Sequence, residues 1–132
     1  MKNEIITTDA VGRFGEKICA KHLKKQGYKI LEKNLRINRL EIDIIATNKT
    51  HILFVEVKTR RTDMNNINRP ANSVNRDKRD NLIAFSKAYS KRLSRKYESR
   101  QLRIDVCEIL VHSDAGKLTV DSINYIENAV SR

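Results

Sequence analysis

The sequence predicts a mixed α/β fold, a central sheet flanked by helices in the order α-β-β-β-α-β-β-α. Three observations carry that expectation. Apolar residues recur at helical spacing over residues 11–23 and again over residues 74–93. Between these stretches stand two strand-like runs, EIDIIA and HILFVEVK, separated by a short polar piece. A further run of strand character, QLRIDVCEILVH, follows the second helical stripe.

Taken in order, the first helix starts at Thr8 or Asp9, either able to cap it. It runs to about Gln26, and Gly27 stops it. Val11, Phe14, Ile18, Cys19 and Leu23 form one apolar arc, with Glu16 at its edge. Gly12 and Gly15 lower helix propensity, so packing must hold this half. YKILEKNLRI reads as the first strand, EIDIIA as the second and HILFVEVK as the third. The NKT piece makes the last two an antiparallel hairpin, although its turn lacks glycine. Thr59 to Ser73 reads as a long loop containing Pro70. The second helix is expected over about Val74 to Tyr97, with Val74, Lys78, Leu82, Phe85, Tyr89 and Leu93 on its inward stripe. After the fourth strand, QLRIDVCEILVH, Gly116 lies in a turn and LTV is a short fifth strand. DSINYIENAV resembles a final helix starting at Asp121 or Ser122. No internal repeat is visible, and residues 1–132 suit a single domain.

Composition narrows the function classes. No apolar run reaches the roughly 18 residues of a membrane span. The opening MKNEIITTDA lacks the apolar centre of a signal peptide. Cys19 and Cys107 are far apart and lack CxxC spacing, which argues against a disulfide scaffold or zinc site and fits a reducing cytoplasm. His22, His51 and His112 are scattered, so no histidine metal site is expected. The 27 Lys and Arg outnumber 16 Asp and Glu, giving a net charge of +11. Lys58 to Arg100 holds 13 basic and 4 acidic residues, so one region should be strongly electropositive and attract a polyanion such as nucleic acid.

The chemistry concentrates in LEIDIIATNKTHILFVEVKTR. If Lys49 and Thr50 are the two turn residues, Asp43 lies opposite Glu56, and Glu41 opposite Lys58. Directly opposed residues have Cβ atoms roughly 5 Å apart. A turn at Asn48 and Lys49 makes Asp43 and Glu56 diagonal neighbours, still on one face. Glu56 and Lys58 share that face, while Val55 and Val57 point to the other. Two adjacent carboxylates repel unless neutralised, and a hard divalent cation such as Mg²⁺ does that with oxygen ligands. Lys58 adds a positive charge able to hold a phosphate oxygen or orient water. Alternating acidic and basic groups also suit the wet face of a sheet. The flanking runs IIA and ILFV argue instead that the hairpin is central, where ionic groups need a reason.

GRFGEKICAKHLKKQGYKILEKNLR, EIDIIA, FVEVKTR, RPANSVNRDKRDNLIAFSKAY and RIDVCEI, in this order, resemble the bacterial UPF0102 (YraN-like) family over nearly the full length. That family's fold resembles restriction endonucleases and archaeal Holliday junction resolvases. The resemblance implies a restriction-endonuclease-like fold and a metal-dependent endonuclease hydrolysing DNA phosphodiester bonds, branched DNA among them. The superfamily pattern of Asp, spacer, then (Asp or Glu)-x-Lys falls on Asp43, Glu56 and Lys58 as catalytic residues. Mg²⁺ or Mn²⁺ would sit on Asp43 and Glu56, with Glu16 of the first helix assisting. Leu40 stands where the family usually has glycine before the acidic strand. Junction-cutting relatives are usually dimers, so a homodimer is a candidate assembly.

Further cations are candidates for nucleic-acid backbone contacts: Arg60 and Arg61 directly after the site, Arg36 ahead of Arg39 before it, and Arg76, Lys78 and Arg79 on the second helix. Lys78, on the inward stripe, could instead pair with Glu56 or Asp43. Arg103 and Asp105 share a strand face and suit an internal ion pair. The competing function is a non-catalytic nucleic-acid-binding protein working with a repair or recombination partner. The basic segment accounts for binding in either case.

Overall fold

The computed structural model describes residues 5–64 and 76–130. Helix α1 (Thr8–Lys25) is followed by strands β1 (Lys29–Ile37), β2 (Leu40–Thr47) and β3 (His51–Arg61). Helix α2 (Arg76–Ser90) and a 3₁₀ turn (Arg95–Tyr97) lead to β4 (Gln101–Asp114) and β5 (Lys117–Ile126). The five strands form one mixed sheet in the order β1-β2-β3-β4-β5. Among the described strands, only β3 and β4 are parallel, and a parallel connection needs a crossover, which contains α2.

Each helix covers one face of the sheet. Cys19, Ala20 and Leu23 of α1 pack on Ile44, Leu53, Val55, Cys107 and Ile109. Leu82, Phe85 and Tyr89 of α2 pack on Ile42, Ile45, Ile52, Phe54 and Ile104. The consecutive apolar residues of β3 thus serve two cores, which is why this strand shows little polar alternation. Both cysteines are free and buried.

Four expectations change in the structure. The cap of α1 is Thr7, not Thr8 or Asp9, because Thr7 Oγ1 accepts from the Ala10 N–H at 3.1 Å. Thr59 to Arg61 are not loop: they extend β3 and pair with Ile109 to Val111 of β4. The remaining loop residues 65–73, with Pro70, and Val74 lie outside the described residues. Helix α2 ends at Ser90 instead of Tyr97. Ser90 Oγ donates to the Lys87 carbonyl, and the Arg92 N–H bonds only three residues back, to Tyr89 O.

The fourth change is the largest. DSINYIENAV does not form a final helix, and residues up to Ile126 continue β5. Strand β4 is 14 residues long and would leave a long unpaired edge. Pairing from Asp114↔Lys117 to Val106↔Ile126 fills that edge. The ladder outweighs the local cap signal of Asp121, which sits at a register shift. Asp121 instead accepts from Thr62 Oγ1 at 2.8 Å and lies 2.6 Å from His112 Nδ1. The turn before β5 is well specified: Ala115 and Gly116 both have positive φ, 51° and 80°, the mirror-image geometry that suits tight hairpins.

Candidate active site

The β2–β3 hairpin places the carboxylates. Its turn lacks glycine, and Asn48 closes it instead. Asn48 Oδ1 accepts from the backbone N–H groups of Thr50 (3.0 Å) and His51 (2.8 Å). Lys49 and Thr50 are therefore the turn residues, with Thr47↔Ile52 and Ile44↔Val55 in register. Continued by one more pair, that register would set Asp43 opposite Glu56.

Beyond Ile44 the two strands part. The β2–β3 pairing stops there, so neither expected opposition, Asp43 to Glu56 or Glu41 to Lys58, forms as a ladder pair. Glu41 pairs back to β1, bonding Arg36 at 3.2 Å. The alternation of β2 also breaks at Asp43, since Ile42 and Ile44 pack in opposite cores. Asp43 bridges the gap: its Oδ2 accepts from the Val57 N–H at 2.7 Å. A side chain thus takes a backbone donor that a continued ladder would have used.

Electrostatics follow from this geometry. Burial pushes the Asp43 carboxyl up to about 7, and repulsion from Glu56 and Glu16 adds to it. The Val57 bond and the Lys78 charge act against the rise. Glu56 is 8% exposed and faces the α2 side. Lys78 of α2 reaches it, Nζ to Oε1 at 2.5 Å. Lys58 is partly buried, and its pKa is lowered by that burial and by the Lys78 and Arg60 charges. Asp43, Glu56, Lys58 and Lys78 thus form one electrostatic unit.

Glu16 is positioned by a close helix approach. At Gly15 a Cβ would meet Thr59 Oγ1 at 1.7 Å, so only glycine lets α1 lie this near β3. The next residue, Glu16, then lies near enough for its charge to raise the Asp43 carboxyl. Gly12 has open space around it and plays no such part.

The other candidate cations are dispersed. Arg39, not the higher-ranked Arg36, lines the cleft with Glu56 and Lys78. It stands in a two-residue turn after Asn38, whose φ is +58°, and that Asn-containing turn was the available sequence signal. Arg60 lies near Lys58 electrostatically. Arg61 is held in two bonds by Asp63, both 2.9 Å. Arg76 and Arg79 are exposed on α2. Arg103 and Asp105 form the internal pair read from their spacing. Asp105 is fully buried and also accepts from Tyr125 Oη (2.6 Å) and the Asn128 N–H (2.8 Å).

The profile described as Uncharacterised protein family UPF0102 matches residues 15–109, which contain this whole cluster. The chain belongs to the UPF0102 family. It is 39% identical over 124 residues to a UPF0102 protein of Caldanaerobacter subterraneus subsp. tengcongensis, covering 94% of this chain and 97% of the relative. A UPF0102 protein of Clostridium perfringens (strain ATCC 13124) is 38% identical over 120 residues, with 91% and 93% covered. One from Alkaliphilus metalliredigens is 36% identical over 120 residues, with 91% and 96% covered. Among the described residues of this UPF0102 chain, no helix is long and apolar enough to cross a membrane.

Proposed function

We propose that this UPF0102 protein is a metal-dependent endonuclease hydrolysing DNA phosphodiester bonds at Asp43, Glu56 and Lys58. The supporting observation is the buried Asp43 beside Glu56 where the strands part: burial, with repulsion from Glu56 adding to it, pushes Asp43 up to about 7. A carboxylate pair in that condition favours a cation. Among the described residues, no group of three or more His, Cys, Asp or Glu is placed to hold an ion. Mg²⁺ and Mn²⁺ fit the pair, because Mg²⁺ commonly takes one or two carboxylates and fills its other positions with water and substrate phosphate. Bound there, such an ion would acidify a water and polarise the phosphate.

The protein's own groups do the rest. Asp43 and Glu56 would hold the ion, and Glu16 adds negative charge on the α1 side. Lys58, with its lowered pKa, orients the attacking water and neutralises the phosphate. Arg39 and Lys78 at the cleft, and Arg60 beside Lys58, bind neighbouring backbone phosphates.

The test is cleavage of labelled single-strand, duplex, flap and four-way junction DNA, and of RNA, with Mg²⁺ or Mn²⁺. Asp43→Ala and Lys58→Ala should each lose at least about 100-fold in rate. Asp43→Ala should bind DNA as well as wild type or better, because a repulsive charge is gone. Cleavage by Asp43→Ala at the wild-type rate overturns the assignment. The second reading is a nucleic-acid-binding protein without hydrolysis. It is favoured by the Lys78–Glu56 pair, which already neutralises one carboxylate. Tight, salt-dependent binding with no cleavage in any lane would select it.

A further inference from the structure

At the turn end of the hairpin, away from the carboxylates, lies an open cleft. It is framed by the β2–β3 turn, the start of β1 and the chain from the 3₁₀ turn up to β4. Lys29, Lys49, Lys96 and Arg100 line it, and among the described residues no acidic side chain does. Arg100 is fixed on two sides. Its Cζ lies 4.7 Å from the Tyr97 ring centroid, and its Nη1 donates to Thr47 Oγ1 at 2.9 Å. Thr47 is itself 4% exposed and donates to the His51 carbonyl at 2.8 Å, so the turn anchors the guanidinium. Lys96 Nζ lies 5.6 Å from the same ring.

A surface that only needed solubility would intersperse charges of both signs. Four cations sharing one concavity without an acid match a polyanion. A pre-positioned guanidinium suits phosphate, because its planar fork gives two parallel bonds. Cations combined with an aromatic ring are the equipment of grooves that track a nucleic-acid backbone.

We infer that this cleft is a second phosphate-binding site, gripping the substrate's backbone away from the bond that is cut. The inference rests on the nucleic-acid reading above and adds a length requirement to it. Asp43 and Thr47 are four residues apart on β2, about 13 Å. That distance corresponds to about four nucleotides at 3.4 Å each. A strand reaches both places only if it extends beyond about four nucleotides from the scissile phosphate.

The experiment is fluorescence anisotropy of a labelled 20-base-pair duplex in EDTA across a salt series. Wild type is compared with Lys49→Ala/Lys96→Ala and with the charge-reversed Lys49→Glu/Lys96→Glu. Both lysines are exposed, and circular dichroism checks the fold. The alanine pair should weaken binding about tenfold and flatten the slope of log affinity against log salt by about two. The reversed pair should weaken it further. Wild-type affinity and slope in both variants overturn the inference, and normal loss of cleavage in Asp43→Ala would then leave the nuclease reading standing. No DNA binding by wild type overturns both. A 5′-mononucleotide that binds wild type tightly, with duplex affinity unchanged in the variants, overturns it in favour of a small-nucleotide site.

Discussion

The two ends of the β2–β3 hairpin use the same pair of strands in opposite ways. At the turn, the ladder runs to completion. Asn48 and Thr47 satisfy the backbone locally, and the charged groups stay outside as a rim of cations. At the other end the ladder stops at Ile44↔Val55, and Asp43 takes the Val57 N–H in place of a strand. There the charged groups lie inside, with Asp43 and Glu56 repelling one another and Lys78 offsetting part of that. The contrast shows where a sheet tolerates ionic side chains among apolar neighbours. They sit where strands diverge, because a side-chain oxygen can serve the stranded backbone and still face its partner.

The strongest way to break the contrast is at the helix that closes over the open end. Gly15→Ala drives a methyl into Thr59 Oγ1, an overpacking cost of about 3 kcal/mol, offset by about 1 kcal/mol of helix propensity. Urea denaturation should show a net loss of about 2 kcal/mol. Gly12→Ala, in open space, should gain up to about 1 kcal/mol instead. Equal responses at the two glycines would mean that α1 does not lie tightly on β3.

The closed end is sharpened by Asn48→Ala, which removes the acceptor for two backbone N–H groups of the turn. Thermal unfolding should register a loss of about 1–2 kcal/mol, since exposed donors recover water in part. An unchanged midpoint would show that the flanking strands close the turn unaided.

The smallest effect depends on pH. Asp43 is raised from an ordinary 3.8 to about 7, so between these values the folded chain binds its proton more tightly than the unfolded chain. Its contribution to stability is therefore present at pH 4 and falls away as the pH rises to about 7. In EDTA, Asp43→Asn should gain stability on wild type as the pH rises from 5 to 8, because only wild type loses the proton that folding holds. A constant gap across that range would place the raised proton affinity elsewhere.

Much of this site was legible before folding was considered. The hairpin register up to Ile44↔Val55 follows from an even-length turn, and Asp43, the next residue, lies near enough to Glu56 for their charges to interact. Lys78 stood on the inward stripe of its helix and does reach Glu56. The Arg103–Asp105 pair followed from two-residue spacing on a strand. The parting of the strands was not legible, because EIDIIA reads as one continuous strand while Ile42 and Ile44 serve opposite cores. Arg39 lines the cleft while Arg36 pairs with Glu41, because a residue's place in the turn, not its neighbours' identities, carries it there.

Features set by near neighbours can be read along the chain: helix α1 with its glycine stop, the hairpin register, and the apolar run of β3. Periodicity and turn chemistry act within a few residues, so a local pattern encodes them. The remaining features depend on long-range packing. The segment from Asp121 to Ile126 becomes strand because β4 offers it an unpaired edge, against its own cap signal. Arg100 joins Thr47, and Lys78 joins Glu56, across many intervening residues. Those outcomes are set by contacts that exist only once distant segments share a sheet.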